Sequence, residues 1–364
     1  MIGLSASRGR PFHCTGRLGI VGTGRKAARM NQRIVVRRPG GPETLEWIEE
    51  QDLAPQGTQV KVRILAAGVA FGDIMLRKGV GRPAAGYPVT PGYDFAGVVE
   101  ALGPGASRFE VGDLVAGLPI TGGYQQFICL AETDLIAVPA GLAPADVVSV
   151  ILNYTTAFQL LNRAAHLKPG DRALVHGAAG GVGTAMLQLA RLQGVKLYGT
   201  VSPGKMDLVR DLGGVPIDYR HTDFVQVMRT LEPGGVQAVF DPVGGLQLNR
   251  SYQVLSGNGT LVSYGFSAAT QATGNKNMAL AASMLRFMSL KVRPSGKKVK
   301  LYLIEPARKR HPEEFNHDVG ALLKLLQDGM IHPQVALTLP LAEARTAHEL
   351  LESGKVTGKI VLEP

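Results

Sequence analysis

The fold of this chain is determined by the segment Arg172-Ala-Leu-Val-His-Gly-Ala-Ala-Gly-Gly-Val-Gly-Thr-Ala-Met-Leu-Gln-Leu-Ala-Arg191. A short apolar run, Ala173 to Val175, comes first, and apolar residues from Val182 onward recur at the spacing of one helix face. Glycines at 177, 180, 181 and 183 lie between the two patterns. The order predicts a strand, a tight turn and a helix.

Such a turn is suited to binding phosphate. Glycine has no Cβ, so the backbone can approach a pyrophosphate closely. The free N–H groups and the positive dipole end of the helix that starts near Val182 then face the anion. A Gly-rich turn alone can also be a hairpin or a helix cap, so the following sequence has to decide. The residues predicted to contact the pyrophosphate are Ala179, Gly180, Gly181 and Val182.

Four further strand-like segments follow at the spacing of helical crossovers. They are Lys196 to Val201, Val215 to Asp218, Ala238 to Asp241 and Thr260 to Tyr264. Alternation of apolar strands with helices is typical of a doubly wound parallel sheet. The sequence therefore predicts an α/β nucleotide-binding domain, with Leu290 to Val292 as its sixth strand. The helices expected between the strands are Lys205 to Leu212, Thr222 to Leu231 and Leu246 to Leu255.

The end of the second strand indicates which dinucleotide is bound. An NAD site usually has Asp or Glu about 20 residues beyond the first glycine, where it binds the ribose 2′-hydroxyl. Here the segment from Gly199 to Lys205 contains no acid. Ser202, Lys205 and Tyr219 supply hydroxyls and a positive charge, which suit a 2′-phosphate. NADP(H) is favoured over NAD(H); the alternative is that Lys205 begins an exposed helix and Tyr219 covers a sheet edge.

Length and composition indicate a two-domain globular protein. The chain has 364 residues, too many for a single ordinary core. No apolar run is long enough to span a bilayer. Two cysteines, Cys14 and Cys129, provide neither a disulfide framework nor a four-thiolate zinc cluster. A reducing, cytoplasmic location is expected.

The positive net charge of +10 is concentrated at the start of the chain. Residues 1–29 contain six basic residues and no acid, which leaves +4 for the remainder. Such a leader can be an organelle transit peptide, but it lacks the apolar centre of a secretory signal. The favoured interpretation is a disordered tail or a misplaced start, because Met30 opens a segment that already resembles a first strand. Aromatic residues do not alternate with its basic residues, so nucleic-acid binding is not expected.

Short strands and Gly/Pro turns occupy residues 30–153 and predict a β-rich domain that ends in a helix, Ala143 to Asn162. Residues 154–295 form the predicted nucleotide-binding domain. The segment 296–364 is expected to return to the first domain, which leaves the cofactor cleft between two lobes. Its predicted elements are a helix at Glu313 to Asp328, a strand at Val335 to Leu339, a helix at Ala342 to Ser353 and a strand at Lys359 to Leu362.

Three motifs resemble the zinc-free, quinone oxidoreductase-like (zeta-crystallin-like) branch of the medium-chain dehydrogenase/reductase superfamily. They are Gly68-Val-Ala-Phe-Gly-Asp73, Pro91-Gly-Tyr-Asp-Phe-Ala-Gly97 and Ala178-Ala-Gly-Gly-Val-Gly183. The resemblance extends from Met30 to Pro364. It implies a GroES-like β-rich domain beside a Rossmann domain, NADP(H) in the cleft between them, and a homodimer.

The first two motifs also bear on zinc. The zinc alcohol dehydrogenases of this superfamily have a Cys and a His-Glu pair there, whereas this chain has Ala70 and Tyr93-Asp94. No thiolate or imidazole remains at these places, so the sequence predicts no metal site. Alcohol oxidation then lacks its Lewis acid. Hydride transfer to an acceptor that is already electrophilic is the remaining chemistry.

The resemblance also implies roles for single residues. Tyr93 is the candidate catalytic hydroxyl, with simple filling of the vacated metal volume as the alternative. Thr156 aligns with a threonine beside the nicotinamide, and Gly265 and Phe266 align with cofactor-contacting residues. Asp73 is interpreted as structural and paired with Lys359. His176, at the end of the first Rossmann strand, is also interpreted as structural.

Three functions remain open at this point. The first is an NADPH-dependent quinone reductase. The second is an NADPH-dependent reductase of activated C=C bonds, in enones, enals or enoyl thioesters. The basic segment 293–311 could attract an anionic substrate such as a coenzyme A thioester, or a phosphate-rich surface, although such a segment is more often a solvated face. The third is an NADPH-binding structural or membrane-associated protein without turnover.

Overall fold

A computed structural model describes residues 30–81 and 86–364, so the leader predicted at residues 1–29 lies outside the described residues. The strands of the described part belong to three sheets. They are β1 (Met30–Val36), β2 (Leu45–Gln51), β3 (Gln59–Val69), β4 (Phe95–Leu102), β5 (Leu114–Gly117), β6 (Phe127–Ala131), β7 (Leu135–Ala137), β8 (Arg172–His176), β9 (Lys196–Val201), β10 (Val215–Asp218), β11 (Val236–Asp241), β12 (Leu255–Ser263), β13 (Lys298–Leu301), β14 (Val335–Pro340) and β15 (Lys359–Glu363).

Helices connect most of the strands from β8 onward and cover both faces of one sheet. The α-helices of the described part are α1 (Phe71–Arg77), α2 (Pro144–Ser149), α3 (Thr155–Gln159), α4 (Gly181–Leu192), α5 (Met206–Asp211), α6 (Phe224–Leu231), α7 (Gln247–Gln253), α8 (Ser267–Thr270), α9 (Lys276–Lys291), α10 (Ile304–Arg310), α11 (Pro312–Gln327) and α12 (Ala344–Glu352).

A parallel six-stranded sheet in the order β10-β9-β8-β11-β12-β13 forms the nucleotide-binding lobe. The central strand β8 pairs with β9 on one side and with β11 on the other. The strand order reverses at this point, and ligands of such sheets bind at the carboxyl ends of the strands beside the reversal. The predicted doubly wound fold is confirmed, and β9 and β10 have the predicted bounds.

The sixth strand was predicted at the wrong place. Leu290 and Lys291 end helix α9, and Val292 follows the helix with 75% of its surface exposed. The sixth strand is instead β13, which pairs in parallel with β12 from Thr260 to Ser263. Ser283, Phe287 and Leu290 are buried at helical spacing, which explains why Leu290 and Lys291 belong to a helix. Residues 298–301 therefore still belong to the nucleotide-binding sheet, and the chain leaves it only after Leu301.

The β-rich lobe contains a seven-stranded sheet and the β1–β2 hairpin. Six of its strands follow the order β14-β15-β3-β4-β5-β7, and β6 pairs with β3. Strand β15 brings the late segment back to the first lobe by pairing antiparallel with β3, with Ile360 opposite Val69. The lobe has its own apolar cluster, which includes Val60, Phe95 and Leu362. This β-rich lobe beside the parallel sheet is the predicted two-lobe fold.

One continuous helical segment, residues 144–164, connects the lobes. It contains two turns of π geometry. The first, Val150–Tyr154, separates α2 from α3, and the second, Leu160–Ala164, follows α3. The segment is buried on nearly every side from Val147 to Ala157, as expected of a helix apolar all round. Single π turns are frequent at functional sites. Here the first π turn places Asn153 against the Gly-rich turn, and Thr156 follows Asn153 by three residues.

Candidate functional site

The Gly-rich turn after β8 requires glycine by its geometry. Gly177 has φ of +72°, the left-handed region that favours glycine. A Cβ on Gly183 would lie 2.5 Å from the carbonyl oxygens of both Gly177 and Ala178, so no larger residue fits without moving the turn. Helix α4 begins at Gly181. The first backbone N–H groups of this helix are exposed to a ligand by the turn, which suits an anion.

The helical segment 144–164 supplies two polar side chains near α4, and one of them contacts this turn. Asn153 packs directly against Gly181, where a Cβ would collide with its side-chain nitrogen. Thr156 is only 6% exposed, and its Oγ1 has no hydrogen-bond partner within the described residues. A buried hydroxyl left unpaired costs about 1–3 kcal/mol, which a ligand could recover by bonding to it. The orphaned hydroxyl and the glycine cradle thus fit a bound nicotinamide dinucleotide.

The three residues predicted to hold a 2′-phosphate lie together at the ends of β9 and β10. The Lys205 backbone N–H donates to the Ser202 carbonyl, and the Tyr219 N–H donates to the Val201 carbonyl. The Tyr219 side chain is 52% exposed, so it is available to a ligand. Burial and the nearby charge of Arg220 lower the pKa of Lys205.

Arg220 was missed by sequence reasoning. Its charge acts on the Lys205 ammonium, so the region carries two cations rather than one. The signal was its position directly after Tyr219, at the end of a strand whose carboxyl end faces the ligand. Two cations beside two hydroxyls favour a dianionic phosphate over a neutral ribose hydroxyl.

Gly265 and Phe266 lie just beyond β12, at the same edge of the sheet. A Cβ on Gly265 would lie 2.8 Å from the carbonyl oxygen of Pro242, so two loops approach closely here. The ring of Phe266 is buried and packs near Gly244, whose φ is +76°. The Asp241 carboxylate fixes the second loop by accepting from the N–H groups of Val243 and Gly244 at 2.8 and 2.9 Å.

His176 lies beneath the turn rather than in a ligand site. Its ring is buried, and its two nitrogens lie 3.0 Å from the hydroxyls of Thr200 and Ser251. Ser251 in turn donates to Asp241 at 2.7 Å. Burial lowers the pKa of His176, so the ring is neutral at physiological pH. These contacts tie β8, β9 and α7 together, in accordance with a structural role.

Tyr93 lies in the β-rich lobe, with its ring over the start of α1. A Cβ on Gly72 would lie 2.5 Å from ring atoms Cε2 and Cζ, so glycine at 72 makes room for the ring. Burial, followed by the charges of Asp73 and Glu305, raises the pKa of Tyr93 well above its usual value. The phenol therefore stays protonated and can act as a hydrogen-bond donor.

The expected pairing of Asp73 with Lys359 is wrong. Lys359 Nζ lies 2.8 and 3.1 Å from the two oxygens of Asp94, and both residues are buried. The lysine side chain passes Gly68, where a Cβ would collide with both members of this pair. Asp94, the residue before β4, therefore binds the Lys359 ammonium beside Gly68, so Lys359 does not pair with Asp73 in α1.

Asp73 nevertheless has a structural role. Its carboxylate accepts from the N–H groups of Ala70 and Gly92 at 2.8 Å and from the Tyr124 hydroxyl at 3.3 Å. Burial raises the pKa of Asp73 to about 7. The carboxyl group thereby joins α1 to the loop that carries Tyr93.

Residues 30–81 and 86–364 offer neither a metal site nor a membrane-spanning helix. In this part of the chain, no group of three or more His, Cys, Asp or Glu residues could hold a metal ion. Within the same ranges, no helix combines the length and the apolar character that a membrane crossing requires.

Comparison with known proteins gives matches in both lobes. Residues 56–140 match the family model described as alcohol dehydrogenase GroES-like domain, and residues 213–362 match the one described as zinc-binding dehydrogenase. The 2-haloacrylate reductase of a Burkholderia species is 33% identical, over 92% of this chain and 99% of that protein. The synaptic vesicle membrane protein VAT-1 homolog of Danio rerio is 32% identical over 84% of this chain, but the match spans only 64% of that protein.

Among solved structures, the Escherichia coli quinone oxidoreductase complexed with NADPH is similar to this chain throughout. The superposition has a TM-score of 0.81 at 28% sequence identity, and it covers 92% of this chain and all of that one. The likeness therefore includes both lobes and the cleft between them.

Proposed function

Since this chain belongs to the zinc-free, quinone oxidoreductase-like branch of the medium-chain dehydrogenase/reductase superfamily, we propose that it is an NADPH-dependent reductase of quinones. Bound NADPH would supply a hydride, which with one proton from solvent converts a quinone to its hydroquinone. The unpaired, buried Thr156 hydroxyl, on the helix α3 that packs against α4, supports the cofactor site most directly. The NADPH complex of the Escherichia coli relative agrees with this choice of cofactor.

The residues proposed to hold the cofactor surround the cleft edge of the parallel sheet. The backbone from Ala179 to Val182 would bind the pyrophosphate, and the Thr156 hydroxyl would orient the nicotinamide. Ser202, Lys205 and Tyr219 would bind the 2′-phosphate, while Gly265 and Phe266 would line the opposite wall. The close backbone approaches at Gly183 and Gly265 support this arrangement, because they leave no room for a Cβ and so fix the two loops that would face the cofactor.

Tyr93 is proposed as the hydrogen-bond donor to the acceptor. An oxygen of the accepting π-system gains negative charge during hydride transfer, and a fixed hydroxyl stabilises that charge. The raised pKa of Tyr93 keeps its proton in place for this purpose. Ala70, Tyr93 and Asp94 occupy the positions of metal ligands in zinc relatives, and this residue set does not suit zinc. A conjugated acceptor, which needs no Lewis acid, therefore fits the cleft better than an alcohol.

The first experiment is NADPH consumption by metal-stripped protein with a para-quinone and, in parallel, with an alkenal. We expect rapid oxidation with the quinone and a loss of kcat of about 100-fold or more in Tyr93→Phe, the scale of removing one oxyanion donor. Tyr252→Phe is the matched control, because this tyrosine bonds to Ser295 far from β4 and α1. Unchanged quinone turnover in Tyr93→Phe would assign the ring to volume filling instead.

A second candidate is reduction of activated C=C bonds. The 2-haloacrylate reductase relative favours it, because its named substrate is a conjugated alkene that carries a carboxylate. Turnover of the alkenal but not of the quinone would select this function. A third candidate is an NADPH-binding structural or membrane-associated protein without turnover, and the observation that favours it is that the VAT-1 relative is named a synaptic vesicle membrane protein. It would be selected if NADPH binds tightly and neither acceptor is reduced.

We also propose that the protein is a homodimer. Strand β13 lies at the end of the parallel sheet, and helix α9 packs beside it. This helix and the next residue expose an apolar stripe at helical spacing, formed by Met278, Leu285, Met288 and Val292. A second copy could cover the stripe and extend the sheet. A mass of 38.6 kDa, that of a single chain, in sedimentation at micromolar concentration would contradict the dimer.

The expected cytoplasmic location remains a prediction, which cell fractionation would test.

A further inference from the structure

The Lys205 ammonium is held by a segment of the other lobe. Its Nζ donates to the carbonyl oxygens of Gly354 at 2.8 Å and Val356 at 2.6 Å, about 150 residues away in sequence. These acceptors belong to the segment 354–358 between α12 and β15, which we call the strap. An ammonium group has three N–H donors, so two bonds to the strap leave one donor free.

The strap is itself fixed at its other end. The Gly358 N–H donates to the Ala179 carbonyl in the Gly-rich turn at 2.9 Å. Gly358 has φ of +81°, and a Cβ there would collide with the Gln334 carbonyl oxygen, so its position is tightly determined. The next residue, Lys359, pairs with buried Asp94. The strap thus connects the turn, Lys205 and the β-rich lobe.

We propose that the strap is part of the 2′-phosphate site and determines the preference for NADP(H) by orienting the Lys205 ammonium. This inference rests on the cofactor site proposed above. Lysine has a flexible stem, and fixing its ammonium before binding removes part of the entropy cost of each bond to a ligand. The strap carbonyls also offset repulsion from Arg220, which lies close enough to lower the pKa of Lys205. The remaining N–H of the ammonium is the one presented to phosphate.

Gly354 offers a way to move the strap without touching the ligand. It has φ of +66°, and a Cβ there meets nothing within 4 Å. Valine strains the left-handed backbone and so shifts the Gly354 carbonyl, although space is available. Gly329 is the matched control: it also has φ of +66°, open surroundings and a position just after a helix. Backbone strain is therefore comparable in both variants, but only Gly354 contacts Lys205.

The test measures binding of 2′,5′-ADP and of 5′-AMP to the wild type, Gly354→Val, Gly329→Val and Lys205→Ala. We expect Gly354→Val to bind 2′,5′-ADP about three- to tenfold more weakly and 5′-AMP unchanged, as suits loss of preorganisation. Gly329→Val should match the wild type for both ligands. Equal affinities of Gly354→Val and Gly329→Val for 2′,5′-ADP would overturn the strap proposal. If Lys205→Ala also binds 2′,5′-ADP normally, the proposed 2′-phosphate site fails as well.

Hydrogen exchange gives a second readout that does not depend on any variant. The amide protons of 355–359 should exchange more slowly with NADPH bound than with NADH bound, because the phosphate fixes the ammonium that binds the strap. Faster exchange in the presence of NADPH would overturn the proposal, since it would mean that phosphate draws Lys205 away from the strap.

Discussion

Lys205→Ala should weaken NADPH binding by about 1.5–3 kcal/mol and leave NADH binding nearly unchanged, the scale of a hydrogen bond to a charged group. The expected loss is confined to NADPH because Lys205, just beyond the end of β9, is proposed to bind only the 2′-phosphate, which NADH lacks. Titration of the purified protein with each nucleotide, followed by the nucleotide's fluorescence, measures both affinities.

The control for charge is Lys168→Ala. This exposed lysine precedes β8, at the opposite end of the parallel strands, so it changes net charge by the same amount without touching the site. It should leave both affinities unchanged at physiological salt, where screening limits the effect of distant charges. Equal losses for NADPH and NADH in Lys205→Ala would contradict a 2′-phosphate role for Lys205.

Lys359→Met should lower the free energy of unfolding by about 3–5 kcal/mol, because it leaves the buried Asp94 carboxylate without its partner. Methionine preserves the length and most of the apolar volume of the side chain, so the loss reports the missing charge. Burial already raises the pKa of Asp94, and Lys359 opposes that rise. Without the lysine, Asp94 would take up a proton more readily, and the variant should be less impaired at pH 5 than at pH 8. Urea unfolding at both pH values measures this.

The double variant Asp94→Asn/Lys359→Met separates the charge from the packing. Removing both charges should recover more than half of the lost stability, since no uncompensated ion remains in the interior. A single variant Lys359→Met as stable as the wild type at pH 8 would show that Asp94 is neutral in the native protein and that the pair carries no stabilising charge.

Local pattern was sufficient for most of the parallel sheet. Strands β9 and β10 were predicted with their observed bounds because each is an apolar run bounded by turn residues and a helix. The prediction of the sixth strand failed for a physical reason: a segment of three residues, Leu290-Lys291-Val292, is too short to show a helical or a strand period. Only the burial of Ser283 and Phe287 upstream identifies it as the end of a helix face.

Contacts between distant segments could not be predicted from the sequence. The acid that pairs with Lys359 depends on which strand neighbours β15, and both Asp73 and Asp94 are acids near that strand. The bonds from Lys205 to the Gly354 and Val356 carbonyls involve backbone acceptors, which any residue type could supply. Residue types were therefore sufficient to suggest which side chains could bind a 2′-phosphate. They were not sufficient to suggest that the strap binds the Lys205 ammonium.

The pairing of β15 with β3 has a consequence for the order in which the protein is made. The strands of the nucleotide-binding sheet all lie between residues 172 and 301, so this lobe can fold while later residues are still being synthesised. The β-rich sheet is completed later, because the 67–69 part of one β3 edge has no partner until Lys359–Glu363 are synthesised. An early-made apolar strand with an open edge is prone to aggregate. In a cell, therefore, chaperones should bind mainly to the β-rich lobe, because its strands are the first to be synthesised and its sheet is the last to be completed.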